Sequence, residues 1–265
     1  MHLVYLIFCA VITLGICNAT AQSSDLNKGY QNAQYYGEMR NGLLNGKGKA
    51  VFNDGSVYDG EWSKEQRHGL GKALLKDGSL YEGQWSYDKR HGKGVYIFPN
   101  GNKYEGDFFN NKIQGIGKMY FVNGDVYEGQ FVEDKIEGKG SIVYANGETY
   151  TGSFKMGKKH GEGSYTFKNG RIYQGEFVQD SRTGHGELTF PTGDKYVGQF
   201  AAGKMTGQGV FYYNNGDVFK GEFLNGQMNG SGIYTYADGQ IAEGTWSNGV
   251  KIGKSENTLQ TASSK

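Results

Sequence analysis

Aromatic residues and glycines recur along this chain at a fixed spacing. The pattern Tyr-x-Gly-x-aromatic returns every 23 residues in eight copies, the last with Phe in place of Tyr. Residues two apart in a strand share a face, so the pattern predicts strands with one aromatic face. The leading and closing aromatics are Tyr58 and Trp62, Tyr81 and Trp85, Tyr104 and Phe108, Tyr127 and Phe131, Tyr150 and Phe154, Tyr173 and Phe177, Tyr196 and Phe200, and Phe219 and Phe223.

Two weaker copies flank these eight, with Met39 and Ala242 where aromatic residues are expected. A fixed period of this length indicates a repeat architecture whose terminal units are atypical because each has only one neighbour. The sequence therefore predicts an array of about ten repeats over residues 35–254. A linker at 22–34 precedes it, and a polar tail at 255–265 follows it.

Each repeat is predicted to form a β-hairpin closed by a three-residue turn. With Pro99–Gly101 as the turn, Tyr96 lies opposite Tyr104 and Gly94 lies opposite Gly106. A two-residue turn would place aromatic residues opposite lysines, although opposed residues must share a face. A glycine at the end of a three-residue loop supplies the left-handed conformation that such loops need. The glycines thus determine the register.

This register predicts two unlike faces. Paired glycines leave bare backbone on the aromatic face, and large rings can cover it, so the motif aromatics are expected to form the core. The other face is expected to be solvated, because the register opposes lysines to acidic residues there. These pairs are Lys47 and Glu61, Lys49 and Asp59, Lys72 and Glu82, Lys93 and Asp107, and Lys118 and Glu128.

The run Tyr81-Glu82-Gly83-Gln84-Trp85, the following Gly92-Lys93-Gly94 and the turn Asn100-Gly101 resemble the MORN repeat (membrane occupation and recognition nexus). The resemblance covers about residues 35–254. It implies an all-β fold, an elongated single-layer antiparallel β-meander of stacked 23-residue hairpins, and a protein-interaction or membrane-proximal module. Ten such hairpins would extend roughly 95 Å. The family's further glycine, three residues after the closing aromatic, stands only at Gly42, Gly157, Gly203, Gly226 and Gly249.

Composition narrows the function classes. The chain has 45 glycines but only 2 prolines, which excludes collagen, and its 20 Tyr, 15 Phe and 3 Trp are too many for a disordered chain. The formal net charge is only +1. Because nucleic-acid binding depends on a strong positive field, this balance argues against a nucleic-acid partner.

The N-terminal segment resembles a targeting signal. Residues 3–16 form an uncharged apolar run, and Ala19-Thr20-Ala21 is a small-x-small cleavage sequence. We expect a signal peptide over Met1–Ala21, cleaved before Gln22, and a secreted or surface-associated protein; an N-terminal membrane anchor is the alternative. Cys9 and Cys17 lie inside this segment, so the mature chain would have no cysteine.

No arrangement of residues indicates catalysis or cofactor binding. His68, His91 and His160 share one repeat phase, but no further metal ligands stand near them in the sequence. The Gly-x-Gly pairs lack the third glycine of a dinucleotide-binding loop, and the carboxylates recur as exposed strand residues. We expect a non-enzymatic protein with no catalytic residues, metal, cofactor or small-molecule substrate.

Basic residues recur four or five positions after the closing aromatic, and we expect them in loops along one edge of the sheet. The leading hypothesis is a scaffold that binds a protein partner; the alternative is a peripheral membrane module that binds anionic phospholipids through this basic edge. Asn229-Gly230-Ser231 is a possible N-glycosylation site. The basic residues are Arg67, Arg90, Lys112, Lys135, Lys158, Arg182 and Lys204.

Overall fold

The computed structural model of the protein describes residues 32–253. The expected signal peptide, its cleavage point between Ala21 and Gln22, residues 22–31 of the linker and the tail at 255–265 lie outside the described residues. The first strand begins at Ala33, two residues before the start expected for the array.

The described residues form twenty β-strands in one sheet. Long and short strands alternate because each repeat contributes one strand on either side of its turn. The strands are β1 (Ala33–Arg40), β2 (Leu43–Phe52), β3 (Val57–Ser63), β4 (Gln66–Leu74), β5 (Leu80–Ser86), β6 (Lys89–Ile97), β7 (Lys103–Phe109), β8 (Lys112–Tyr120), β9 (Val126–Val132), β10 (Lys135–Val143), β11 (Thr149–Lys155), β12 (Lys158–Thr166), β13 (Ile172–Val178), β14 (Ser181–Thr189), β15 (Lys195–Ala201), β16 (Lys204–Tyr212), β17 (Val218–Leu224), β18 (Gln227–Thr235), β19 (Ile241–Ser247) and β20 (Val250–Gly253).

Every strand pairs antiparallel with the strands before and after it in the chain, which makes the sheet a meander with β1 and β20 at its edges. The all-β, single-layer antiparallel fold expected from the sequence is thus confirmed. At the usual strand spacing, twenty strands extend about 90 Å.

The hairpin register is also as the sequence predicts. Tyr96 pairs with Tyr104 and Gly94 with Gly106. The three-residue turn is closed by the Phe98 N–H, which donates to the Asn102 carbonyl at 2.9 Å. Gly101, at the end of the turn, has a φ of 89°, the left-handed conformation for which glycine is suited.

Consecutive repeats are joined by tighter, two-residue turns. In the first complete copy these residues are Lys64 and Glu65, and both have positive φ, at 49° and 66°. Two positive φ values in sequence define a type I′ turn, which matches the right-handed twist of a hairpin. A bulge follows each such turn, as where Glu61 pairs with His68 but the preceding Gly60 pairs with Gly71.

One glycine from each of β1 to β19 lies in a continuous row across the sheet, each paired with the next. The leading aromatic of each motif covers this row. Tyr127 illustrates the fit, because a Cβ on Gly140 would lie 2.5 Å from its hydroxyl oxygen, and a Cβ on Gly129 would lie 2.5 Å from the Gly140 Cα. Glycine is therefore required along the row by close approach.

Candidate functional site

The motif aromatics form a buried inner row on the aromatic face. All sixteen in the eight complete motifs are buried. Each leading ring packs edge-on against two closing rings, as Tyr104 does against Phe108 of its own repeat (5.2 Å between centroids) and Phe131 of the next (5.0 Å). Its hydroxyl donates to the Asp107 carbonyl at 3.1 Å. The inner row is thus occupied by packing and hydrogen bonding.

Burial changes the acidity of this row. It raises the pKa of Tyr81, Tyr127, Tyr150, Tyr173 and Tyr196 to about 12, because the ionised phenolate would lose its hydration. The inner-row tyrosines are therefore neutral and serve as hydrogen-bond donors at physiological pH.

A second line of rings lies beside the inner row, next to the three-residue turns, and was not singled out as a site from the sequence. Seven consecutive repeats place an aromatic residue at the last position before this turn. Six of these rings are partly exposed and pack against the core, and the seventh, Tyr236, is exposed and packs on Tyr234. Its signal in the sequence is the same 23-residue period. We call it the outer aromatic row, and its members are Phe98, Phe121, Tyr144, Phe167, Phe190, Tyr213 and Tyr236.

The seven basic residues of the expected edge lie in strands rather than in loops, and on two faces. Arg67, Arg90 and Arg182 occupy the second position of their strands and point to the aromatic face, where Arg67 lies 4.5 Å from the Trp85 ring centroid. The other four occupy the first position and lie exposed on the reverse face. Adjacent strand residues point to opposite faces, which divides the row. These four are Lys112, Lys135, Lys158 and Lys204.

Two of the four reverse-face lysines lie opposite large apolar side chains beside the two-residue turns, whereas Lys158 pairs with Lys155 and Lys204 with Ala201. Phe109 pairs with Lys112 and is 55 % exposed, and Val132 pairs with Lys135 and is also exposed. Lys112 forms an ion pair with Glu133 at 3.0 Å. We call this set the turn-edge strip; it consists of Phe109, Lys112, Val132, Lys135, Lys158 and Lys204.

Polar residues in the two-residue turns join consecutive repeats. The backbone N–H of the second turn residue donates to the carbonyl of the preceding repeat, as Asp134 does to Ile113 at 3.0 Å. Where this residue is Asp or Asn, its side chain also accepts the N–H of the same partner, as Asp134 does from Ile113 at 2.8 Å. These Asp and Asn side chains therefore hold consecutive repeats together, and we call them structural clasps. The other such residues are Asp88, Asn111 and Asp180.

The polar residue before the closing aromatic stabilises the bulge, because its side chain accepts a backbone N–H from the bulged strand. Gln84 Oε1 accepts the Lys93 N–H at 3.0 Å, and Gln130 Oε1 accepts the Lys139 N–H at 2.8 Å. On the reverse face, three of the expected charge pairs form ion pairs in the structure: Lys72 with Glu82 (2.9 Å), Lys93 with Asp107 (2.7 Å) and Lys118 with Glu128 (3.4 Å).

The histidines and the possible glycosylation site lie on the reverse face. His68 packs near Tyr87 and His91 near Phe109, with ring centroids 5.4 and 5.3 Å apart. Within residues 32–253, no group of three or more His, Cys, Asp or Glu is placed to hold a metal ion.

Asn229, the possible glycosylation site, is partly buried in β18, next to Gly230 with a φ of 104°. The described part of the chain also contains no helix long and apolar enough to cross a bilayer.

A family model described as "MORN repeat" matches nine consecutive segments of this chain. They are residues 35–57, 58–80, 81–103, 104–126, 127–149, 150–170, 173–195, 196–218 and 219–241. The tenth, degenerate copy around Trp246 lies beyond the matched segments but continues the sheet as β19. A search of curated proteins found no significant match.

Several solved structures are similar at low identity. The TCP10 domain of Danio rerio CPAP matches with a TM-score of 0.46 and 13% identity, over 78% of this chain and 99% of that chain. The same domain in complex with a peptide of Danio rerio STIL gives 0.45 and 14%, over 80% and 100%. The TCP10c domain of Drosophila melanogaster Sas-4 gives 0.37 and 18%, over 67% and 99%. With TM-scores below 0.5, these likenesses are too distant to assign a partner.

Proposed function

The chain belongs to the MORN repeat family, and we propose that it is a non-enzymatic scaffold that binds protein partners along its aromatic face. The observation that carries the proposal is the outer aromatic row. Seven consecutive repeats keep a partly exposed ring at one position, although the core needs only the inner row to cover the glycines.

A line of rings fits an extended partner better than a small molecule. Residues at the same position of successive repeats are separated by two strand spacings, roughly 10 Å. Aromatic side chains combine a large contact area with little conformational entropy and are enriched in protein interfaces. Extended peptide segments dock on such exposed aromatic surfaces. We therefore assign the partner-binding role to the outer aromatic row.

A site-specific photocrosslinker tests this assignment. Benzoylphenylalanine is placed at Phe121 in the outer aromatic row, and in a matched variant at Tyr120, the preceding aromatic residue, which faces the other side. We expect the Phe121 variant, irradiated in its native cell, to crosslink a defined partner protein and the Tyr120 variant not to do so. Crosslinks from Tyr120 alone, or from neither position, would contradict binding along the aromatic face.

A second candidate function is favoured by the turn-edge strip. Exposed Phe109 and Val132 alternate there with Lys112 and Lys135, so apolar and basic groups share one edge of the reverse face. Such a combination suits the surface of an anionic membrane, where each basic side chain adds about 1 kcal/mol of attraction. In this alternative, the protein is a peripheral membrane module that binds anionic phospholipids.

Vesicle sedimentation separates the two candidates. The protein is mixed with phosphatidylcholine vesicles, with or without phosphatidylserine. If the strip binds membranes, the protein sediments only with the anionic vesicles, and Lys135→Ala weakens this more than Lys139→Ala, an exposed lysine in mid-strand on the same face. Equal sedimentation of both variants with the wild type would contradict the lipid function. Lys135→Ala should change stability by less than about 0.5 kcal/mol.

We further propose that the scaffold is secreted or surface-associated. The support is the apolar run at 3–16 followed by the small-x-small sequence that ends at Ala21. Fractionation of the native cell, with N-terminal sequencing of the protein, tests this. An N-terminus at Gln22 would support cleavage and secretion. An uncleaved protein in the membrane fraction would favour the anchor, and an uncleaved protein in the cytosol would contradict both.

A further inference from the structure

Four repeats place a cation at the second position of the strand after the two-residue turn, among the rings of the aromatic face. These are Arg67, Arg90, Lys159 and Arg182. Two of the four are neutralised by an aspartate in the next turn. Arg67 pairs with Asp88 at 3.0 Å, and Lys159 pairs with Asp180 at 3.6 Å. Charge balance at this position therefore depends on the residue in the following turn.

Arg182 has no such counter-charge. The equivalent turn residue is Gly203, whose backbone carbonyl accepts a hydrogen bond from Arg182 Nη2. The guanidinium lies 5.1 Å from the Phe167 ring centroid, 5.4 Å from Tyr173 and 5.8 Å from Phe200. No carboxylate among residues 32–253 forms an ion pair with it. A half-buried cation is thus held by rings and one neutral acceptor.

A second cation, Arg171, lies on the same part of the aromatic face as Arg182. Arg171 stands just after the three-residue turn, where other repeats have an acceptor for the next turn, as Asp125 accepts the Ala145 N–H at 2.9 Å. The Arg171 guanidinium instead lies 5.7 Å from the Phe190 ring centroid, and within the described residues it too has no ion pair. Its positive charge adds to the burial that lowers the pKa of Arg182.

Positions 171 and 203, where other repeats carry acids such as Asp125 and Asp88, therefore hold Arg171 and Gly203 instead, and two cations without acidic partners lie on this part of the aromatic face. The nearest rings, Phe167 and Phe190, are successive members of the outer aromatic row and are partly exposed. The acids at the equivalent position of the two neighbouring repeats are already engaged, because Glu148 accepts the Tyr165 hydroxyl at 2.7 Å and Asp194 accepts the Asn214 N–H at 2.8 Å. Neither guanidinium is therefore in an ion pair within residues 32–253, and both remain available to an anion from outside the described chain.

We propose that Arg171 and Arg182, with Phe167 and Phe190, form the binding site for an acidic segment of a protein partner. An aspartate or glutamate of that segment would pair with the guanidiniums, whose planar donors match a carboxylate. An adjacent aromatic or proline side chain would pack on the phenylalanine rings. A peptide supplies both groups in one segment, whereas two cations are too few for nucleic-acid binding through phosphates. This proposal names the class of partner that the scaffold binds, and it rests on the scaffold function proposed above.

Selection from a phage-displayed library of short random peptides on the purified protein tests the site. We expect the enriched peptides to carry Asp or Glu beside an aromatic residue or proline. In fluorescence anisotropy, Arg171→Glu and Arg182→Gln should each weaken the binding of a labelled enriched peptide about tenfold or more. Lys220→Glu, the same charge reversal on the reverse face, should leave it unchanged. A peptide with its acid replaced by lysine should bind Arg171→Glu better than the wild type.

Thermal melts establish that each variant is folded; Arg171 is exposed next to a turn, so its substitution leaves the core intact. Enriched peptides without acids, or acidic peptides whose affinity neither arginine variant changes, would overturn the site while leaving the scaffold function intact. Failure to enrich any peptide would also overturn it, as would binding of phosphatidylserine vesicles lost in Arg171→Glu. The scaffold function is judged separately by the crosslink from Phe121, which lies two repeats away.

Discussion

Asp88 binds Arg67 of the preceding repeat through both its side chain and its backbone. Asp88 Oδ1 accepts the backbone N–H and the Nε–H of Arg67, each at 3.0 Å, and the Asp88 carbonyl accepts Arg67 Nη2 at 3.1 Å. The Asp88 N–H in turn donates to the Arg67 carbonyl at 3.0 Å. The stability of each repeat is thereby coupled to that of its neighbour, as expected in a linear repeat array.

Rings at the centre of the array should contribute more to stability than rings at its end. Phe131 packs between Tyr104 and Tyr127, at 5.0 and 5.3 Å, whereas Trp246 packs, within residues 32–253, against one inner-row ring, Phe219, at 5.1 Å. We expect Phe131→Ala to lower the free energy of unfolding by about 2–3 kcal/mol, less than for a core enclosed on all sides, and Trp246→Ala to lower it by clearly less. Urea melts of the two variants measure this, and equal losses would contradict nearest-neighbour stacking.

The glycine row should tolerate no side chain. In Gly140→Ala, the new Cβ would lie 2.5 Å from the Tyr127 hydroxyl and 2.7 Å from two of its ring carbons, so either the ring or the backbone must move. We expect a loss of about 1–3 kcal/mol in unfolding free energy, as for other overpacked sites. Gly253→Ala is the control, because its Cβ would meet nothing within 4 Å. A thermal melt in which the two variants match would show that the row is not sterically required.

The sequence was sufficient to predict the hairpin register, the three-residue turn and the aromatic face, because a glycine opposite a glycine allows only one alignment. It was not sufficient to predict how consecutive hairpins join. The two-residue turn places Lys112 and Arg90 in strands rather than in a loop, and they fall on opposite faces because Lys112 follows its closing aromatic by four residues and Arg90 by five. Predicting the hydrogen bonds between Asp88 and Arg67 also requires knowing which strands are neighbours across that turn.

The inner-row tyrosines should make the protein sensitive to alkaline pH. Burial raises the pKa of Tyr127 to about 12, above the ordinary value of about 10 in the unfolded chain. The unfolded state therefore releases protons first, so the stabilisation is complete below pH 10 and falls as pH rises towards 12. We expect urea midpoints to drop over this window, together with late appearance of tyrosinate absorbance. A constant midpoint would contradict the burial of the ionisable rings.

A matched variant isolates the contribution of one tyrosine. Tyr127→Phe removes the hydroxyl that donates to the Gln130 carbonyl at 3.1 Å, and Phe219 shows that the array accepts phenylalanine at this position. We expect a loss of about 0.5–1.5 kcal/mol at neutral pH from the missing hydrogen bond. The alkaline decline in stability should become less steep, because one fewer buried phenol ionises. A decline as steep as that of the wild type would assign the alkaline sensitivity to other groups.

Gly203 offers a way to build the missing clasp on Arg182. Its φ of 77° is close to the 63° of Asp88 and the 70° of Asp180, so the turn accepts aspartate, and a Cβ on Gly203 would lie 3.6 Å from Arg182 Nη2. We expect Gly203→Asp to pair with Arg182 as Asp88 pairs with Arg67. Because the site is half-buried, the pair should offset the cost of a left-handed aspartate and raise the free energy of unfolding by up to about 1 kcal/mol.

The control for this variant is Gly226→Asp, in the next two-residue turn. Gly226 has a similar φ of 90°, and its N–H donates to the carbonyl of Met205, which carries no charge. The difference in stability between the two aspartate variants isolates the ion pair, and it should shrink as salt is added, because ions screen such a pair. Gly203→Asp should also weaken acidic-peptide binding by neutralising Arg182, whereas Gly226→Asp should not. Equal stability of the two variants at every salt concentration would show that Arg182 gains nothing from a carboxylate at this turn.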